Sequence, residues 1–155
     1  MQYTSGENQR EKETRKVMND SPQEPAVSRD TSGIIVRAVS EYRPDQSDLE
    51  STGDEKYVFA YHIEIENQGE RSVQLLSRHW WITDARQTVR EVTGGGVVGQ
   101  RPVIEPGQVF RYTSWCVLPT ASGLMRGTYS LLTVGGEMLE VQIPCFSLAT
   151  PHALN

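Results

Sequence analysis

Residues 56–66 read KYVFAYHIEIE, and their alternation decides the fold class. Tyr57, Phe59, Tyr61, Ile63 and Ile65 fall on one side of an extended chain, with Val58, Ala60, His62, Glu64 and Glu66 on the other. Successive strand residues point to opposite faces, so this segment buries one face and leaves the other wet. That is the habit of an antiparallel sheet with one solvated side. Residues 108–118, QVFRYTSWCVL, repeat the pattern. There Phe110, Tyr112, Ser114 and Cys116 lie opposite Val109, Arg111, Thr113, Trp115 and Val117.

Working outward, five more short runs read as strands: GIIVRAVSEY (33–42), SVQLLSRHWWITD (72–84), TVREV (88–92), GTYSLLTV (127–134) and EMLEVQIPCF (137–146). Gly135-Gly136 separates the last two, and a Gly-Gly pair between strands is a hairpin signal because both positions tolerate positive φ. Further turn signals recur at Pro44, Gly53, Asn67-Gln68-Gly69, Pro106-Gly107 and Gly123. About seven antiparallel strands and no helical period imply two packed sheets. The expected fold is an all-β sandwich of the fibronectin type III or immunoglobulin-like kind over residues 33–155.

Residues 1–32 differ in kind. They carry five basic and six acidic side chains, and their only sizeable apolar ones are Met1, Tyr3, Val17, Met18 and Val27. So little apolar surface does not offset the entropy of ordering, and the expectation is a disordered charged tail with at most a transient helix.

Composition narrows the function. A net charge of -5 argues against broad binding to nucleic acid or anionic membranes. The two cysteines, Cys116 and Cys145, share no motif, which points to a reducing cytoplasm and to small core residues. No run approaches the roughly 18 apolar residues of a membrane span, and the first residues, MQYTSGENQREKETRK, carry no apolar signal-peptide core.

Residues 94–99, GGGVVG, match G-x-G-x-x-G through Gly94, Gly96 and Gly99. In a dinucleotide site such glycines lie between a strand and a helix whose N-terminus holds the pyrophosphate. The strand is present as TVREV, but QRPVIEPG follows, and Pro102 and Pro106 cannot share a helix interior. The βαβ reading fails. A glycine loop without a helix can still offer a nest of N–H groups to an anion, with Arg101 just beyond it and Arg90 and Arg78-His79 as further charge. The competing reading is that the glycines serve the turn alone.

Other chemistry is sparse. His62, His79 and His152 are far apart without metal-ligand spacing, and no catalytic constellation, cofactor motif or metal cluster stands out. Trp80 and Trp81 are consecutive, so one must leave the core. Continuing the alternation of Val73 and Leu75 would bury Ser77, His79 and Trp81, whereas Leu76, Trp80 and Ile82 make an equally apolar set on the other face. Trp115 poses the same question, and an outward tryptophan marks a candidate protein contact.

The runs VQLLSRHWWITDA (73–85), EVTGGGVVGQRPVIEPGQVFRYTS (91–114), GLMRGTYSLL (123–132) and VQIPCFSLATPHALN (141–155) together resemble the ApaG family. The resemblance covers residues 33–155 and implies a fibronectin type III-like sandwich. It departs from the family pattern in the 32-residue N-terminal extension and at Trp115, where a glycine is usual. Family members are linked to cobalt and magnesium resistance and to the genetic neighbourhood of diadenosine tetraphosphate hydrolysis. Related domains occur in F-box proteins and in a polymerase-interacting protein. The implied function is a non-enzymatic interaction module with an unidentified protein partner, contacting it through Arg78, His79, Trp81 and Trp115. The alternative is a small-anion or polyphosphate binder using Gly94, Gly96, Gly99 and Arg101. Exposed sheet edges also allow a homodimer.

Overall fold

A computed structural model describes residues 26–153. The described chain is all-β apart from one 3-10 turn at Pro44–Gln46. Nine strands run in order: β1 (Val27–Thr31), β2 (Ile34–Tyr42), β3 (Tyr57–Asn67), β4 (Val73–Asp84), β5 (Val89–Gly95), β6 (Val103–Ile104), β7 (Val109–Leu118), β8 (Ser122–Thr133) and β9 (Met138–Ala149). They form two antiparallel sheets, β1-β2-β3-β7 and β5-β4-β8-β9, with the short β6 also pairing to β4. No helix of the described residues is long and apolar enough to cross a membrane.

Both sheets contribute one face to a single core. Phe59, Tyr61, Ile63 and Ile65 of β3 are buried, as the alternation requires, and meet Leu75, Trp80, Tyr129, Leu131, Val141 and Leu148 from the other sheet. The outer face of β3 carries ion pairs instead, Glu64 with Arg111 and Glu66 with Arg37, although Ala60, expected on that wet face, is buried. The β8–β9 hairpin turns at the glycine pair, where Gly136 takes φ +85°.

Two strands depart from simple alternation, and both are bulged. A register shift at Leu76 adds one residue to β4 against β8. Val73 and Leu75 therefore face the core before the bulge, and Trp80 and Ile82 after it, while His79 and Trp81 turn outward. A second shift sets Pro144-Cys145 of β9 against Arg126 alone. The bulge accommodates a proline that cannot donate to the ladder, and it corrects the expectation for Cys145, which is exposed whereas Cys116 is buried.

The domain begins earlier than residue 33. Val27–Thr31 form β1, joined to β2 through Ser32 and Gly33 at φ +53° and +85°, the two-residue turn that suits a right-twisted hairpin. An edge strand is held by backbone pairing, so its lack of apolar side chains does not exclude it. The remainder of the expected tail, residues 1–25, lies outside the described residues.

Deep in the core the hydroxyls of Tyr112 (β7) and Tyr129 (β8) hydrogen-bond to each other across the two sheets, and burial pushes both phenols well above their ordinary range. Replacing either with phenylalanine should strand the other hydroxyl and cost about 1–3 kcal/mol. The double replacement should cost less than the sum of the singles. Urea unfolding of the three variants checks this; strictly additive losses would refute the pairing.

Candidate functional site

The glycine segment proves to be a turn with two arginines laid over it. Gly94 and Gly95 end β5, so their missing side chains would point to opposite faces of the sheet. A Cβ at Gly94 would sit 2.8 Å from Arg78 Nη1, and one at Gly95 would sit 2.7 Å from Arg101 Nη2. Arg78 lies on the inner side of β4 and donates from Nη1 to the carbonyls of Gly95 and Gly96 at 3.2 and 2.9 Å. Arg101 lies exposed on the other side.

Beyond β5 three of the backbone amides are committed. Gly96 N–H donates to the Leu76 carbonyl at 2.7 Å, taking up the acceptor that the β4 bulge exposes. Val97 and Gln100 exchange N–H···O bonds at 2.8 Å each, closing a two-residue turn over Val98 and Gly99. Both central residues have positive φ, +43° and +78°. Valine rarely adopts this conformation; the paired Val97–Gln100 bonds close the turn around it. Three amides that an anion nest would need therefore point at carbonyls. The turn accounts for Gly96 and Gly99, and the close approach of Arg78 and Arg101 accounts for Gly94 and Gly95.

Arg78 opens instead onto a cleft of about 320 Å³ between the two sheets, on the side where β5 and β7 are the edge strands. Its polar lining comprises Arg78, Arg90, Tyr61, Ser114 and Cys116, with Trp80, Trp115 and Val117 in the apolar part of its wall. Arg90 reaches from β5 toward β7, where Nη2 donates to the Val117 carbonyl at 3.3 Å and lies 3.8 Å from Cys116 Sγ. Burial pushes the Cys116 thiol up to about 11 even with Arg90 beside it, so it is protonated at neutral pH. Tyr61 is likewise raised by burial, against the opposing effect of its hydrogen bond with Ser114.

The remaining candidates lie on two different outer surfaces. His79 stacks on Trp81 with centroids 3.8 Å apart, Arg126 sits 4.7 Å over the same indole, and His79 Nε2 pairs with Glu91 at 3.0 Å. Trp115 projects from β7 of the other sheet, half exposed at 50%, with Arg43 5.0 Å over its ring. The structure thus brings Arg78, Arg101 and the glycines together and keeps His79 and Trp81 apart from Trp115. Arg43 and Arg126 carried no signal in the sequence, since each finds its tryptophan only through sheet register or a returning loop.

A family model described as the ApaG domain matches residues 47–133, more than half of the chain. The chain belongs to the ApaG family. Proteins named ApaG from Methylorubrum extorquens (strain PA1) and Rhodospirillum centenum (strain ATCC 51521 / SW) are each 50% identical to it, over 123 and 122 residues, which is 79% of this chain and 92% of each relative. The crystal structure of a putative ApaA protein from Bordetella pertussis matches at a TM-score of 0.71 and 44% identity, covering 84% of this chain and 99% of that one. The residues matched to the ApaG domain include the glycine segment, whose geometry here is that of a turn.

Proposed function

We propose that this ApaG domain is a non-enzymatic protein-recognition module of a reducing, cytoplasm-like compartment, and that its contact face is the rim carrying Trp115, Val117 and Arg43. The observation that carries this reading is Trp115, a large aromatic left half exposed beside Val117, itself 40% exposed. A hollow of about 490 Å³ lined by Arg43, Gln46, Val58 and Trp115 adjoins it. Tryptophan and arginine are the residues most enriched among binding hot spots, because a rigid ring and a stacked guanidinium bury much area at little entropic cost. β7 is also an edge strand, so apart from the Val117 carbonyl that Arg90 takes up, its outer backbone groups are open to a partner. Any bearing on divalent-cation resistance or dinucleoside polyphosphate metabolism would then be indirect, through the bound protein.

A photo-crosslinking residue placed at Val117 tests the reading in cell extract, with Met138 on the other sheet as the control position. A discrete heavier adduct is expected from position 117 and not from 138, and it should vanish when Trp115→Ala is added. Equal adducts at both positions would sink the idea. An adduct of twice the chain mass would replace it with self-association.

A further inference from the structure

We propose that the inter-sheet cleft between β5 and β7 is a binding site for a single oxyanion, a phosphate or carboxylate group, held by Arg78 and Arg90. The two sites adjoin, since Trp115 and Val117 of the rim also line this cleft, but the anion reading rests on Arg78 and Arg90 and not on the rim.

Charge is the first reason. Arg37, Arg43, Arg71 and Arg111 each pair with a carboxylate, whereas Arg78 and Arg90 have no carboxylate partner among the described residues. Both face the same cleft, and no aspartate or glutamate lines it. An anion in the cleft would meet positive charge from both strands. The protein is acidic overall, so this local concentration of positive charge runs against its average.

Preorganisation is the second. Each guanidinium is anchored through backbone carbonyls, Arg78 on Gly95 and Gly96 and Arg90 on Val117. A guanidinium has five N–H donors, so those bonds leave others unspent in a fixed fork, the geometry that suits a planar carboxylate or a phosphoryl group. Gly94 has a place in this arrangement. A side chain there would meet the Arg78 guanidinium at 2.8–3.1 Å and push it out of position.

Trp80 supplies a reporter beneath the cleft. Trp80 lines the cleft and is 2% exposed, and its Nε1–H is the one buried side-chain polar atom among the described residues without a hydrogen-bond partner. Tyr61 and Ser114, hydrogen-bonded to each other, lie alongside it on the cleft wall, so an anion in the cleft changes the surroundings of the indole without touching it.

The test is an NMR titration of the isotope-labelled full chain with inorganic phosphate in one arm and glutarate in the other, at constant ionic strength. Saturable shifts are expected at the Trp80 indole N–H and at the amides of Arg78, Arg90 and Ser114. Arg90→Gln, at an exposed position, should weaken binding roughly tenfold or more, the loss of one charged hydrogen-bonding partner, with an unchanged melting temperature. Arg78→Lys keeps the charge but loses the fork and should weaken it as well. Saturation by phosphate alone assigns the site to a free phosphoryl ligand. Saturation by glutarate alone assigns it to an acidic side chain, and saturation by both to either source. Non-saturating shifts in both arms overturn the proposal. So does binding that survives both substitutions, or shifts confined to Val97–Gln100.

Discussion

Replacing Trp80 with alanine is expected to destabilise the domain by about 3–5 kcal/mol, the usual cost of deleting a large buried aromatic. Trp80 heads the largest fully buried side chains. Its ring meets Tyr61 of the facing sheet at 5.4 Å and 65°, and its own sheet's Tyr129 and Phe146 at 6.4 and 5.9 Å, with both of those rings edge-on at more than 80°. These are the favourable edge-to-face arrangements of aromatic quadrupoles. Deleting the indole removes contacts on both layers at once, and a sheet pair cannot collapse to fill a gap that spans it. Trp80→Phe should cost less than half as much, because it keeps a ring in place and also removes the unpaired indole N–H. Urea denaturation followed by far-UV circular dichroism measures both. An alanine variant within about 1 kcal/mol of wild type would show that the core does not depend on this residue.

Gly127→Ala is the second large effect, at about 3 kcal/mol, the upper end of overpacking costs. Gly127 pairs with Trp80 across β4 and β8. An added Cβ would lie 2.3 Å from the His79 carbonyl oxygen, 3.1 Å from Trp80 Cε3 and 3.2 Å from Ile143 Cδ1. The nearest atom is backbone inside a sheet ladder and cannot swing aside, so the strands must separate or the indole must shift. Gly136→Ala makes the informative contrast. It has open space around it and φ +85°, so its cost is the left-handed conformation alone, about 1–2 kcal/mol. If the two variants proved equally stable in the same assay, close approach at Gly127 would not be what excludes a side chain there.

Much of the sandwich was readable because β7 and, apart from a buried Ala60, β3 alternate along their length, and alternation is a property of the extended chain itself. The strands that misled are those in which the period breaks. In β4 the apolar set switches faces at Leu76, so neither tryptophan assignment fits an unbroken strand, and the bulge satisfies both halves of the pattern. In β9 the bulge at Pro144-Cys145 turns out a thiol that a regular strand would bury. β1 escaped for a different reason. Its residues VSRDT are mostly exposed and pair through backbone, which leaves no hydrophobic signature. Of the candidate site residues, Arg78 and Arg101 lie against the glycines, while the amides of Gly96, Val97 and Gln100 hold the loop together.

By itself the sequence determined the fold class, the antiparallel habit, the Gly135-Gly136 hairpin and the exclusion of a dinucleotide-binding βαβ unit. These follow from local rules: the two-residue period of a strand, the φ that glycine permits and the N–H that proline lacks. Only the tertiary structure decided which tryptophan is buried, which cysteine is exposed, and that Arg78 and Arg90 look into one cleft from two strands. Those outcomes depend on a one-residue slip in register, which reverses every side chain beyond it and is set by packing between sheets that are distant in sequence.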